Sequence, residues 1–154
     1  MPPTVSLSDI IEAFETQSDE SSSFLDLDTG SVKTIMHDYL RSAEESDEPG
    51  PHLVDWEKDV WEVAKRIVST DRFVKLPTKY DIHEWEIMRD FANSAAPDRI
   101  RQELSNAIRG AGAFRCFTGI VRRNRIEQSW FDFRHEALKQ IAIDWCEEND
   151  VQWR

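Results

Sequence analysis

Cysteine is scarce in this chain: two among 154 residues, Cys116 and Cys146. Two thiols make no disulfide framework. Neither sits in a CxxC pair or beside a histidine at metal-ligand spacing, so no zinc site is indicated. Long apolar runs are missing too. No stretch approaches the ~18 residues that a membrane helix needs, and the opening "MPPTVSLSDIIEAFE" has neither the basic head nor the apolar stretch of a signal sequence. These absences predict a cytoplasmic protein with reduced thiols and no membrane partner. There is no HExxH and no second Asp-Thr-Gly triplet. No cofactor and no metal is indicated, and no catalytic residue is assigned.

What is present is aromatic mass and acid. Six Trp and eight Phe in a chain that is 40% hydrophobic exceed what a disordered chain carries, and the length suits a single domain over 1–154. The net charge is −11, unevenly spread. Residues 1–50 hold twelve acids against two bases, whereas residues 97–125 hold seven arginines against two acids. A strongly negative whole-molecule field repels polyanions, so nucleic acid is disfavoured as a partner.

Apolar spacing predicts an amphipathic helix over 7–17 with Ser6 as N-cap. Alternation in "FLDLDTGSVKTIM" predicts a hairpin over 24–36, with Gly30 at the left-handed position of its loop. "AEESDEPGPH", 43–52, reads as a mobile acidic loop. Asp55 caps a helix with Trp56, Val60, Trp61, Ala64, Ile67 and Val68 inward, and "RFVKLP" adds a third strand near 72–76. Asp81-x-x-Glu84 has the form of a capping box, opening a helix with Ile82, Trp85, Met88 and Ala92 inward. Pro97 starts a helix to about Arg109, Gly110 and Gly112 turn a corner, and Phe114, Phe117 and Val121 line the next helix. A final helix over about 126–148 carries Trp130, Phe133, Leu138, Ala142 and Trp145. The fold class expected is α+β: mostly helical, with a small antiparallel sheet.

"AIRGAGAFRCF" followed by "WFDFRHEALKQIAIDWCEEND" resembles one of the bacterial uncharacterised protein families. Its members carry a GAFRRF-type corner and then W-x-x-FR, IA-x-x-W and a closing Glu-Glu. The likeness extends forward through "YDIHEWEIMRDF" and back to "LSDIIEAFETQSDESSSFLDLDTGSV", and so covers nearly the whole chain. Cys116 and Thr118 stand where the corner usually has basic residues. The resemblance implies a fold and an intracellular bacterial setting, and no reaction.

Several groups could carry function. Asp28 in "DTGS" matches an aspartic-protease strand, but that chemistry needs two such loops on a mostly β framework, so a plain hairpin is the better reading. A calcium loop from Asp26 fails because Ser31 and His37 stand where Gly and Glu are required. His83, Glu86 and Asp90 fall at i, i+3, i+7 and define an alternative, a hydrolase or metal-dependent enzyme. A solvated helix face is the plainer reading, as is surface pairing for His135 with Asp132 or Lys139, and packing for both cysteines. The acidic first fifty residues suggest a second alternative, a nucleic-acid mimic.

The favoured site is the corner where Arg109, Arg115, Arg122, Arg123 and Arg125 surround Gly112. A helix start there presents free N–H groups, and the arrangement loosely resembles a helix-turn-helix. An internal dock onto the acidic first fifty residues is the plainer reading of this charge, and an external anionic ligand is the alternative. The function expected is a non-catalytic interaction or regulatory domain whose unknown partner is most readily a protein.

Overall fold

The computed structural model describes residues 4–154. The chain forms two compact units, one of residues up to Asp81 with Ala142–Arg154, the other of Ile82–Ile141.

In the first unit, β1 (Thr4–Val5) leads into α1 (Leu7–Thr16). Leu7, Ile10, Ile11 and Phe14 are buried on one face, as their spacing predicts. Ser6 holds the N-cap position, but its side chain makes no capping bond. Its carbonyl accepts from Ile10 N at 3.2 Å instead.

Next comes a three-stranded antiparallel sheet in the order β3–β2–β4, with β2 Ser21–Asp26, β3 Val32–Met36 and β4 Phe73–Lys75. Both the expected hairpin and the third strand are present. The hairpin starts three residues earlier than expected, because Ser21, Ser22 and Ser23 belong to the middle strand and are buried. A buried hydroxyl without a partner costs about 1–3 kcal/mol, and each serine has one. Ser21 Oγ accepts from Ser18 N at 3.0 Å, Ser22 Oγ lies 2.8 Å from His37 Nε2, and Ser23 Oγ lies 2.8 Å from Thr34 Oγ1. Serines that read as a chain break are thus a satisfied polar strand.

A helix that the pattern did not reveal, α2 (His37–Glu45), follows β3 directly. Residues 43–45, assigned above to the acidic loop, form its last turn. It packs on α3 (Asp55–Ser69) through Ala43, Trp61 and Ala64, with Tyr39, Leu40, Val60, Ile67 and Val68 around them. Lys65 Nζ closes the end of α2 by donating to the carbonyls of Ala43 and Ser46, each at 2.9 Å. Cations belong there, where helix carbonyls run out of partners. Val54, not Asp55, is the N-cap of α3, and Trp56 is exposed rather than inward. A last short strand, β5 (Gln152–Trp153), pairs parallel with β1.

The second unit, with its flanking turn, also departs from expectation in places. The Asp81–Glu84 capping box does not form. A single turn, α4 (Lys79–Ile82), ends at His83, which is left-handed at φ 55°, and α5 (Glu84–Asp90) begins after it. Asp81 Oδ2 accepts from Thr78 N and Thr78 Oγ1. Ile82, Met88 and Ala92 are buried as expected, but Trp85 is half exposed, with its Nε1 donating to Ile108 O at 2.7 Å. A widened π turn, Phe91–Ala95, extends α5 until Pro97 ends it. Pro97 is the N-cap of α6 (Asp98–Ala107), one residue ahead of the N1 place expected for it. Then come α7 (Ala113–Arg123) and the long α8 (Glu127–Glu148).

The centre of the second unit is aromatic. Phe91, fully buried, meets Phe117, Trp130 and Phe133 edge to face, with ring centroids 6.1, 5.3 and 5.4 Å away. Phe117 and Trp130 meet at 4.8 Å. Edge-to-face pairs contribute about 0.5–1.5 kcal/mol each beyond burial. Phe91→Ala is expected to lower the unfolding free energy by about 3–5 kcal/mol, read from the urea midpoint of the intact protein.

The cysteines differ. Cys146 is buried, and burial pushes its thiol up to about 11. Cys116 is exposed, so it is not the packing residue expected. One thiol per native chain should react with an aromatic disulfide reagent, and two after denaturation. Two fast thiols in the native protein would contradict this burial.

Candidate functional site

The helix 6–helix 7 corner is built from its apolar positions outward. Ile100, Leu104 and Ile108 recur at i, i+4 and i+8 and are buried, fixing the inner face of α6 and its exit. Gly112 caps α7 at φ 72°, ψ 24°. An added Cβ there would meet nothing within 4 Å, so glycine is needed for the backbone and not for space. On α7, Phe117, Ile120 and Val121 are buried. The opposite face carries Arg115, Gly119 and Arg122, at i, i+4 and i+7, with Cys116 and Arg123 alongside, and all five are exposed. Phe114, expected in the core, is 57% exposed beside Arg115.

At the far end of α7, Arg125 takes the left-handed position at φ 56°. Arg125 N bonds Arg122 O at 3.1 Å and Ile126 N bonds Val121 O at 3.1 Å, the paired closure that glycine usually supplies. A non-glycine residue there costs about 1 kcal/mol.

The arginines are unequally engaged. Arg123 pairs with Glu103 of α6, Arg101 with Asp98 at 3.1 Å, and Arg99 Nη1 donates to Asn124 Oδ1 at 3.4 Å. Surface pairs like these add little stability. Arg109, Arg115, Arg122 and Arg125 are exposed, and their side chains make no ion pair among the described residues. Of the residues predicted from sequence, Arg115 and Arg122 therefore share one helix face, about 10 Å apart along the axis. Arg123 is turned into a bridge between helices, and Arg109 and Arg125 flank the two ends.

The other candidates resolve differently. His83 lies outside the helix that carries Glu86 and Asp90, and Asp90 is bound to Arg89 at 3.2 Å. No group of three or more His, Cys, Asp or Glu able to hold a metal occurs among the described residues. Asp132 accepts from Gln128 at 2.8 Å rather than from His135 or Lys139.

The Asp-Thr-Gly-Ser stretch is a turn with a lock that sequence did not reveal. Arg72, forty-six residues from Asp26, donates from Nε and Nη2 to the two oxygens of buried Asp26 at 2.8 and 2.7 Å, and also lies 3.3 Å from Asp28. Asp26 Oδ1 accepts from Asp28 N at 2.9 Å, and Gly30, at φ 79°, donates its N–H to Asp26 O at 2.8 Å. Asp28 itself is exposed. The stretch closes a hairpin, and Arg72 holds the Asp26 carboxylate ionised.

A second feature went unseen in the sequence. At the start of α2, a cavity of about 400 Å3 is lined by Met36, Tyr39, Leu53 and Glu57 among others, and another of about 330 Å3 by Glu20, His37 and Arg41. Both are bordered by Met36 and Asp38. Tyr39 Oη donates to Glu57 Oε2 at 3.0 Å, and the carboxylate raises the phenol above its ordinary pKa. Its signal, Tyr39, Leu40 and Ala43 on one helix face, is masked by the surrounding charges.

The whole chain, residues 1–154, matches the family described as Uncharacterised protein family (UPF0158). The chain belongs to this family. A curated relative, a UPF0158 protein of Pseudomonas aeruginosa, is 28% identical over 67 residues, which is 43% of this chain and 44% of the relative. The aligned part thus spans less than half of that relative's length. No solved structure matches this UPF0158 chain. No helix among its described residues is long and apolar enough to cross a membrane.

The Arg72–Asp26 lock has a pH signature. The paired guanidinium, first through its hydrogen bonds, holds the Asp26 carboxyl well below the usual carboxylate range. The resulting stability is fully present above the unfolded value of about 3.9 and is lost as pH falls through the folded value. Asp26→Asn should cost about 2–3 kcal/mol at neutral pH, and the gap between variant and parent should narrow below about pH 4. Equal urea midpoints at pH 7 would refute the lock.

Proposed function

We propose that this UPF0158 protein is a non-catalytic interaction or regulatory domain that binds an acidic protein surface through the arginine corner at 109–125. One observation carries the reading. Arg109, Arg115, Arg122 and Arg125 are exposed without an ion pair among the described residues, in a chain with thirty acidic side chains. Arginine with an adjoining exposed aromatic, here Phe114, is the composition that dominates binding energy at protein interfaces. Phe117, buried against Phe91 and Trp130 in the aromatic cluster, supports a rigid α7, so little ordering cost falls on binding. Gly119, between Arg115 and Arg122, leaves room for close approach. The positive end of the α7 dipole adds to the field at Arg115. A membrane has no support, and the net charge of −11 disfavours nucleic acid.

The test uses a fluorescent poly-glutamate peptide as an acidic probe. Arg115→Glu with Arg122→Glu should weaken its binding at least ~10-fold, about 1.4 kcal/mol, with an unchanged circular dichroism spectrum. The parent's binding should fall steeply with added salt. Equal binding by a folded variant would overturn the reading.

A further inference from the structure

We propose that the partner of the α7 face is a second copy of this chain, which receives it on the groove at the start of α2. This rests on the arginine-corner reading and goes a step beyond it. The unit of Ile82–Ile141 holds ten basic and eight acidic residues. The other unit holds nine basic and twenty-two acidic ones. One chain therefore carries both a basic helix face and a strongly acidic body.

The groove consists of the two adjoining cavities that share Met36 and Asp38, the second of which also has Arg41 at its edge, and together they have what an arginine side chain needs. Met36, exposed by 42%, and the Tyr39 and Leu53 side chains give an apolar wall for the methylene stem, while Asp38 and Glu20 offer carboxylates at the rim. Glu20 makes no ion pair among the described residues, and the pair of Asp38 with Arg41 is long, at 3.5 Å, with Asp38 90% exposed. Both carboxylates can therefore accept from an incoming guanidinium at little cost. Glu57 is already engaged with Tyr39 Oη and more weakly with Val54 N, and serves as wall.

Overall repulsion sets the conditions. Two molecules of charge −11 repel at long range, and the Debye length shrinks from about 30 Å at 0.01 M salt to about 8 Å near 0.15 M and about 3 Å at 1 M. At intermediate salt the long-range repulsion is screened while contacts between close charges persist. Association is thus strongest at intermediate ionic strength and weaker on either side. Two different faces meet, so the contact is head to tail. Reversing charge on either face breaks it, and reversing both in different molecules restores it.

Sedimentation velocity of the full chain tests this. The parent's weight-average sedimentation coefficient should rise with concentration near ~0.15 M salt and return to the monomer value at about 1 M. R115E/R122E alone and E20K/D38K alone should each remain monomeric with unchanged circular dichroism. An equimolar mixture of the two should recover the concentration dependence, a result that misfolding of either variant cannot produce. A parent that stays monomeric throughout, or a mixture that fails to associate, overturns the second-copy proposal. If the monomeric parent still binds poly-glutamate through Arg115 and Arg122, the corner reading stands and only the choice of partner falls. If neither occurs, both fall. If the parent instead retains a single-stranded oligonucleotide in an Arg115- and Arg122-dependent way, the face belongs to nucleic acid and the proposal is overturned.

Discussion

A carboxylate buried in the middle strand of a small sheet must have a cation, and here it comes from outside the hairpin. Arg72 reaches Asp26 with both arms of its guanidinium, and its own carbonyl accepts from Leu27 N at 2.8 Å. One residue thereby ties the hairpin turn to the approach of β4. Without the pair, the cost of desolvating a lone charge would fall on a sheet of three short strands, which is near the lower limit of independent stability. The hydroxyl partners along the same strand follow the same rule. Ser22 with His37 and Ser23 with Thr34 fix β2 against β3 and the start of α2. Polar satisfaction, as much as apolar burial, sets where α2 begins and hence where its groove lies.

The second unit is organised by a different force. Phe91, Phe117, Trp130 and Phe133 form a set of edge-to-face contacts that commits the inner face of α7 to the core. The outer face is free to carry charge. A chain rich in acid could pair every basic side chain it has, and at Arg72, Lys65 and Lys79 it does. Arg109, Arg115, Arg122 and Arg125 are left solvated and without ion pairs among the described residues, and only Arg125, in a backbone position suited to glycine, carries a strain cost.

The elements that were legible in the sequence are those whose signal is local. The stripe in α1, the Gly30 turn, the Gly112 corner and the apolar face of α8 each rest on spacing within one or two turns of chain, and each appears close to where the spacing puts it. The misreadings rest on signals that are not local. Ser21–Ser23 look like a break and the end of α2 like a loop because their partners, Thr34, His37, Trp61 and Lys65, lie elsewhere in the chain. Trp56, Trp85 and Phe114 fall at helical spacing with buried neighbours yet are exposed, because burial depends on which face a helix turns to its neighbour. His83 broke the expected capping box by taking a left-handed backbone that no local pattern announces.

By itself the sequence determined the class of the fold, the family likeness and the positive charge around Gly112, since composition, period and a glycine in a turn act over a few residues. Only the tertiary structure decided which charges are neutralised. Arg72 and Arg123 find carboxylates, while Arg115 and Arg122 pair with none among the described residues. Pairing is a matter of a few ångströms in space between residues twenty to forty-six apart in the chain, and sequence spacing holds no record of that distance.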